Sequence, residues 1–565
     1  MGLDITIKIG GEAGQGIQTV GNLLTLVCHK AGLYVMGIND FESRIRGGHC
    51  FFQLRISNRP VSTPQSQIHL LVALNQETVD FHQNELVPDG LILSEQNENH
   101  ADKRILNVPF EKLAKKAGDS ILANTVAAGA CLGLLGAPFD LFKTLLSEQF
   151  EHKGSEVLIA NTHAAELGHQ SVKDVPFKWS FEWNITDPKG IIIDGSKAFA
   201  LGAIAGDCRF GAFYPMSPAT GIMTYLSDFS KTLPLVIEQA EDEIAAANMI
   251  IGAAFAGVRA ITATSGGGFS LMTEALGLAA ITETPMVIIN AQRPGPATGL
   301  PTRTAQGDLH FMIHASQDEF PRFIFAPGNP QQAYHITARA LYLSEKYQVP
   351  VIILSDQYLN DSLFILEPFK VPAKIERFTV YDEDMKNPAE YQRFKLTPSG
   401  ISPRALPGIG EALVIVSSDE HREDGHISEQ IAHRVQMVDK RKSKIPAMLN
   451  EMNPPEAYYP DAEFFIVGWG STYGSIRESV DILREQGVNI GALHFVDLWP
   501  FGADAAASLL EKCSEFYMVE NNSTAQLGQL IRAQTGLTHA AAVLKYDGRP
   551  FFPSEIVSGI KNLLK

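Results

Sequence analysis

The sequence predicts an α/β protein made of several parallel-sheet domains. Three features carry that expectation. Short apolar runs alternate with helix-period stretches, glycine-containing loops recur where a strand hands over to a helix, and 565 residues suffice for three or four separate cores. Such alternation implies a mostly parallel sheet covered on both faces. A net charge of -17 offers no basic surface to phosphates, which argues against a nucleic-acid binder. The cysteines Cys28, Cys50, Cys131, Cys208 and Cys513 form no Cys-x-x-Cys pair. They fit a reducing, cytoplasmic setting rather than a disulfide scaffold, and argue against a local zinc or iron-sulfur site. The amino terminus shows no basic-then-apolar signal pattern. Ser120 to Phe139 is free of charge, but its Ala and Gly content, with Asn124, Thr125 and Pro138 inside, fits a buried helix and turn rather than a membrane span.

Residues 1–180 form the first expected domain. Leu3 to Ile9 alternates like a strand, Gly10-Gly-Glu-Ala-Gly-Gln-Gly16 interrupts it, and an apolar-periodic helix runs on through Val27. Strand, glycine loop and helix is the arrangement that cradles an anion with backbone N–H groups, here around Gly14 and Gly16. The same pattern fits a tight turn packing helix on strand. Glu42-Ser-Arg-Ile-Arg-Gly-Gly48 precedes a strand at Cys50 to Arg55, and its Arg44 and Arg46 suit either phosphate groups or an interdomain salt bridge. Trp179 to Pro188 reads as a linker.

The second domain, residues 190–365, is organised around Tyr214-Pro215-Met216-Ser217-Pro218-Ala219-Thr220. Two prolines three residues apart fix φ and keep the preceding residues extended, so the loop rigidly presents Tyr214, Ser217 and Thr220. A helix at Ser196 to Gly206 leads into it. A strand at Leu233 to Ile237 follows, then a helix from Glu238 to Ile251 opening with Glu238, Glu241, Asp242 and Glu243. Next come a strand at Ala260 to Thr264, the Gly-rich Ser265 to Phe269, a strand at Pro285 to Asn290, and the polar loop Arg293 to Thr302. A helix at Gln331 to Tyr347 and a strand at Val349 to Ser355 close the domain.

Residues 366–460 read as a connector, rich in charge, with one strand at Ala412 to Val416. His421 and His426 lie among carboxylates there; a metal site is conceivable, but a solvated loop is the ordinary meaning of such a run. The last domain, residues 461–565, begins with Glu463 to Val467 and Gly468-Trp-Gly-Ser-Thr-Tyr-Gly474, again strand, glycine loop, helix. Strands at Ile490 to Val496 and Phe516 to Val519 follow, with Glu520-Asn-Asn522 at a strand end.

Residues 196–309, with Tyr214 to Thr220 at their head, resemble the pyrimidine-binding domain of the 2-oxoacid:ferredoxin oxidoreductases, which are thiamine-diphosphate enzymes. Residues 1–180 look like the gamma domain of that family through Gly10 to Gly16 and Glu42 to Gly48. The connector resembles that of the 2-oxoglutarate-type alpha subunits, and the last domain looks like the carboxyl-terminal domain of transketolase-like enzymes, mainly an assembly domain. The resemblance implies a fused gamma-alpha subunit.

It also implies roles. Glu243, nine residues before Gly252, stands where the family's catalytic glutamate meets the aminopyrimidine, whereas Glu238 and Glu241 complement a helix dipole. Tyr214, Pro215, Met216 and Ser265 would line thiamine diphosphate. Ser217, Arg293 and Thr302 match the substrate contacts, with Ser in place of the usual Thr, and Arg303 would suit the second carboxylate of 2-oxoglutarate. On the residues alone, Thr302 also fits the start of a turn. Gly14, Gly16, Arg44 and Arg46 would serve coenzyme A. No Gly-Asp-Gly for magnesium and no cluster-type cysteine set occurs, so no metal is expected on this chain. A beta subunit would carry Mg2+, the diphosphate and a 4Fe-4S cluster, in a dimer of heterodimers that reduces ferredoxin. The implied reaction is coenzyme A-dependent oxidative decarboxylation of a 2-oxoacid, 2-oxoglutarate ahead of pyruvate or branched-chain acids, or the reverse carboxylation. Two rivals remain at this point: half of a ferredoxin-independent transketolase or decarboxylase, and a non-catalytic assembly subunit.

Overall fold

In the computed structural model, all residues are described except 1, 42–47, 96–101, 151–152, 182, 184–185 and 372–373. The chain forms two compact units. The first takes the residues up to Ile193 together with Ser362–Pro368 and Phe552–Ser554; the second takes Asp194–Asp361, Phe369–Phe551 and Glu555–Lys565.

Among the described residues, the first unit contains a sheet of β1 (Asp4–Glu12), β2 (Tyr34–Phe41), β3 (His49–Ser57), β4 (Ile68–Ala73), β5 (Leu86–Ser94), β6 (Ile105–Asn107), β7 (Ile191–Asp194) and, from much later in the chain, β14 (Leu363–Leu366). The order is β6-β5-β4-β1-β3-β2-β14-β7. β4, β5 and β6 run parallel to β1, whereas β3 is antiparallel to both β1 and β2. Ile5, Ile7 and Ile9 of β1 meet Leu23, Leu24 and Val27 of the helix Ile17–Lys30 in the core, because a period of two on the strand and 3.6 on the helix turns each set to one face. The charge-free stretch contains the buried helix Ala123–Leu134 and the turn after it, as expected. Its glycines let it lie against the helix Ser155–Ser171; a Cβ at Gly133 would stand 2.8 Å from the carbonyl of His169. No helix among the described residues is long and apolar enough to cross a membrane.

The second unit holds two sheets. The larger contains β8 (Phe210–Phe213), β9 (Val236–Gln239), β10 (Ala260–Thr264), β11 (Met286–Gln292), β12 (Phe323–Phe325), β13 (Pro350–Asp356) and, from the C-terminal part, β18 (Asp497–Trp499). Its order is β18-β12-β13-β11-β10-β8-β9, parallel except for β18. The smaller contains β15 (Glu456–Tyr458), β16 (Phe464–Trp469), β17 (Ile490–Phe495), β19 (Glu515–Glu520) and β20 (Ala541–Leu544), in the order β15-β17-β16-β19-β20. One apolar core joins them: Ile288, Ile324 and Ile352 of the larger sheet cluster with Phe465, Trp469 and Phe516 of the smaller.

Three local expectations are corrected. The helix expected from Glu238 starts at Glu243, because Pro234 donates no N–H and the strand shifts to Val236–Gln239, carrying Glu238 with it. Asp242 caps the helix, accepting from Ala245 N at 2.7 Å. Ser265 to Phe269 is no free loop; Gly266 to Gly268 form the first turn of the helix Gly266–Ile281. Ala412 to Val416 forms no strand, having no ladder to join, and Leu413 is exposed.

Buried charge clusters anchor the connector alongside its buried Phe394, Met437 and Met448. Buried Glu283 accepts from Lys440 and, at 2.7 Å, from Lys444, while Arg393 donates to the Glu283 carbonyl at 2.7 Å. Burial alone would raise the Glu283 pKa, yet Lys444, Lys440 and Arg393 hold it well below the usual carboxylate range. Burial also pulls the Lys444 ammonium down to about 8. Buried Glu345 gathers Arg259 at 2.7 Å, Arg377 at 3.1 Å and Arg404 at 3.4 Å. Removing one partner of a buried set leaves the others uncompensated, so Glu283→Gln should lower the unfolding free energy by about 3–5 kcal/mol in urea titrations. A change within error would show that the cluster does not secure the connector.

Candidate active site

The parallel strands of the larger sheet end together, and ligand crevices form at such carboxyl ends. Tyr214 to Thr220 leaves β8, Ser265 leaves β10, Arg293 leaves β11, and Asp356 closes β13. The Tyr214 loop is turned by Ala219 N donating to Met216 O at 2.8 Å, and its Ser217-Pro218 peptide is cis.

Glu243 opens the helix Glu243–Phe255 and is 3% exposed. Its Oε1 has no hydrogen-bond partner, although buried polar atoms are ordinarily paired. The turn facing it is glycine by necessity: a Cβ at Gly268 would stand 2.8 Å from Glu243 Cγ, and one at Gly266 would stand 2.6 Å from Asp308 Oδ2. Ser265 Oγ, Asn290 Oδ1 and Arg293 Nε are likewise buried and unpaired. Arg293 donates from Nη1 to the Ser217 carbonyl at 2.7 Å. Burial lowers its guanidinium pKa, and the charge of Glu243 opposes that shift. The site thus brings together Ser217, Glu243, Ser265 and Arg293, with Met216 accepting from Thr264 Oγ1 at 3.9 Å and Tyr214 half-exposed at the rim.

Behind these residues runs a chain of side-chain amides and hydroxyls. Asn290 Nδ2 donates to Asp308 Oδ2 at 2.9 Å, and Asp308 N donates to Gln292 Oε1 at 3.1 Å. Gln292 Nε2 reaches the Ser355 carbonyl at 3.1 Å, Ser355 Oγ donates to Asn360 Oδ1 at 2.6 Å, and Asn360 Nδ2 ends on the Pro218 carbonyl at 3.2 Å. Burial raises the Asp308 pKa, with Asn290 opposing. Sequence reasoning missed Asn290, Gln292, Asp308, Ser355 and Asn360. For Asn290, Gln292, Ser355 and Asn360 the available signal was their place at or just beyond the ends of apolar runs.

Thr302 is buried in the loop between Arg293 and Asp308, and Arg303 packs its Cβ against Gly548, where an added Cβ would stand 3.0 Å away. Gly14 and Gly16 lie in the first unit, both with positive φ, ahead of a helix whose first turn has no side-chain cap. The Gly16 backbone abuts Asn124, which lines a cavity of about 580 Å³ with Thr19, Asn161 and Lys153. Arg44 and Arg46 lie outside the described residues. His421 is fully buried against Phe394 rather than solvated, ring centroids 3.8 Å apart. No group of three or more His, Cys, Asp or Glu among the described residues could hold a metal ion.

Known proteins place the chain in a family. Residues 201–440 match the family described as pyruvate flavodoxin/ferredoxin oxidoreductase, thiamine diP-binding. Residues 6–171 match pyruvate ferredoxin/flavodoxin oxidoreductase, and residues 462–556 match pyruvate:ferredoxin oxidoreductase core domain II. The 2-oxoacid:ferredoxin oxidoreductase alpha subunit of a Sulfolobus species is 32% identical over 99% of this chain and 96% of its own length. The chain belongs to the 2-oxoacid:ferredoxin oxidoreductase alpha subunits. It is therefore an oxidoreductase polypeptide with a thiamine-diphosphate-binding domain. The 2-oxoglutarate synthase subunit KorA of Methanothermobacter marburgensis, 32% identical, covers 66% of this oxidoreductase chain but 98% of itself. A structure of the 2-oxoglutarate:ferredoxin oxidoreductase from Magnetococcus marinus, with 2-oxoglutarate, coenzyme A and succinyl-CoA bound, matches at a TM-score of 0.92 and 31% identity, covering 100% of both chains.

One buried carboxyl group, Asp356, is expected to couple stability to pH. Asp356 accepts from Ser471 Oγ and, at 2.8 Å, from Leu359 N, and burial pushes its pKa up to about 6. The unfolded value is about 3.9, so the folded state binds this proton more tightly, and the stability gained is full below pH of about 4 and lost as pH rises through 6. Asp356→Asn lacks that loss. From pH 4 to 7 the wild-type unfolding free energy should fall by about 2 kcal/mol relative to the variant, whereas a constant difference would mean that Asp356 does not titrate this way.

Proposed function

We propose that this chain supplies the aminopyrimidine half of a site that oxidatively decarboxylates 2-oxoglutarate to succinyl-CoA, with ferredoxin as electron acceptor, or runs the reverse carboxylation. The observation that carries the reading is the unpaired Oε1 of buried Glu243, open toward the crevice residues and spared a collision only by Gly268. Glu243 would hold an aminopyrimidine there through that oxygen. When bound, thiamine diphosphate supplies the carbon nucleophile and the electron sink that decarboxylation of a 2-oxoacid requires.

The chain's own residues do the rest. Glu243 shares a proton with the pyrimidine ring, and the apolar turn after it, Ala245 to Ala247, keeps water from competing. Arg293, its fork steadied by the Ser217 carbonyl, takes the 2-oxoacid carboxylate. Ser217 and Thr302 donate hydroxyl hydrogen bonds to the remaining oxygens, and Arg303 takes the distal carboxylate. Tyr214, Pro215, Met216 and Ser265 wall the pyrimidine. The glycine loop at Gly14 and Gly16 serves coenzyme A, with its uncapped helix start and neighbouring cavity in support.

The other half of the site belongs to a beta subunit carrying Mg2+, the diphosphate and a 4Fe-4S cluster, in a dimer of heterodimers. The absence of Gly-Asp-Gly from the sequence supports this. So do the helices Glu243–Phe255 and Gly266–Ile281, which leave Ile244 and Leu271 each 50% exposed, as expected of a face that a partner covers. A cytoplasmic enzyme goes with this reading, since all the cysteines are free thiols. 2-Oxoglutarate is preferred because the Methanothermobacter and Magnetococcus proteins carry it in their names and because Arg303 follows Thr302; pyruvate, which the family descriptions name, is the second reading.

Co-expression of the chain with its beta subunit, assayed for viologen reduction with coenzyme A and either 2-oxoglutarate or pyruvate, tests the whole reading. Activity should need both chains and favour 2-oxoglutarate; no turnover of any 2-oxoacid would sink it. Glu243→Gln in the assembled complex should cut kcat by roughly 100-fold or more, as loss of a proton-transfer group does. Gly268→Ala should lower activity comparably by crowding the carboxylate. Full activity of the Gln variant would favour an assembly role instead.

A further inference from the structure

The polar run Glu520-Asn521-Asn522 at the end of β19 plays no part in the chemistry above, and its partners are distant in the chain. Gln306, between Thr302 and Asp308, is fully buried, and all four of its polar groups go to strand ends of the smaller sheet. Its N–H donates to the Asn521 carbonyl at 2.8 Å, and its carbonyl accepts from Asn522 Nδ2 at 3.0 Å. Its side-chain oxygen accepts from Asn521 N at 2.9 Å, while Nε2 donates to the Trp469 carbonyl at 2.7 Å. Flanking residues repeat the pattern. Thr304 N donates to the Gly548 carbonyl at 3.2 Å, and Gln526 Nε2 to that of Gly307 at 2.7 Å. Glu520 fixes the donors in turn, accepting from Trp469 Nε1 at 2.9 Å, Asn522 Nδ2 at 2.8 Å and the N–H groups of Leu527 and Gly528, each at 3.1 Å.

A residue held at all four of its polar groups has one position, and the loop on either side of it is fixed there. We propose that Gln306 is a positioning residue for substrate recognition: through it the C-terminal sheet fixes where Thr302 and Arg303 stand against the 2-oxoacid. The inference rests on the reading of Thr302 and Arg303 as substrate contacts. It gives the C-terminal domain a part in specificity in addition to assembly. Loosening Gln306 displaces groups that bind substrate, and leaves Glu243 and the coenzyme A loop where they are.

The test uses the assembled complex carrying Gln306→Leu, Asn522→Ala or both, with the KM for 2-oxoglutarate, the KM for coenzyme A and kcat measured together. The KM for 2-oxoglutarate should rise roughly tenfold to a hundredfold in Gln306→Leu, since small displacements of positioning groups cost that much. The KM for coenzyme A should stay constant and kcat at saturation should stay within about threefold, the signature of lost binding rather than lost chemistry. Both variants act on one lock, so the double variant should be no worse than the poorer single. An unchanged KM for 2-oxoglutarate, or parallel losses in kcat and both KM values, would overturn the proposal. If Gln306→Leu does not assemble, Asn522→Ala, which spares both side-chain bonds of Gln306, decides it on the same criteria. A wild-type complex inert toward every 2-oxoacid would overturn the functional reading itself.

Discussion

A carboxylate held almost out of water, with one oxygen unpaired, sets the terms for the second unit. Leaving a buried polar atom unsatisfied costs about 1–3 kcal/mol, so its surroundings must keep the structure from relaxing to satisfy it. Asp242, and not Glu243, caps the helix, which leaves the Glu243 side chain free of local work. The turn that faces it is all glycine, so no side chain fills the space beside the carboxylate. Arg293 is near enough to feel its charge, but donates to the Ser217 carbonyl rather than closing an ion pair. The open oxygen is thus built in by its neighbours.

Behind that gap the side chains are tied to one another. The amide chain from Asn290 to Pro218 links four segments through the ends of β11 and β13, and a buried hydrogen-bonded network of this kind rigidifies the arrangement. The charge clusters at Glu283 and Glu345 do the same for the connector, which has little regular structure of its own. Apolar burial makes the second unit compact, while these networks decide where its loops stand.

How much of this was legible in the sequence follows from how far each signal had to reach. Strands such as β1, β10, β11 and β16 were visible, because their apolar patterns are local. Glu243 was singled out by its nine-residue spacing from Gly252, and both lie in one helix, with Glu243 buried at its start. Glu238 was misplaced in that helix because the effect of Pro234 on strand register shows only once β9 pairs with β8. Ala412 to Val416 looks like a strand, but a strand is a relation to a neighbour, which a run of residues cannot show. Gln306 and Asp308 were invisible for the same reason. Their partners lie in other segments, more than 200 residues away for Gln306 and Asn521, and nothing local marks them.

The strand β14 leads to a different matter. It pairs with β2 through Leu363 and Gly37, and with β7 it completes the edge of a sheet otherwise built before residue 110. The first unit is therefore discontinuous in the chain, and a polypeptide cut near residue 180 would lack both strands and leave the edge of β2 away from β3 open. An open edge invites pairing with another molecule. Splitting this gene at its evident seam would thus take more than a stop codon and a new start: the severed piece would need a charge, a proline or a bulge on β2, or a strand of its own to replace the one it lost.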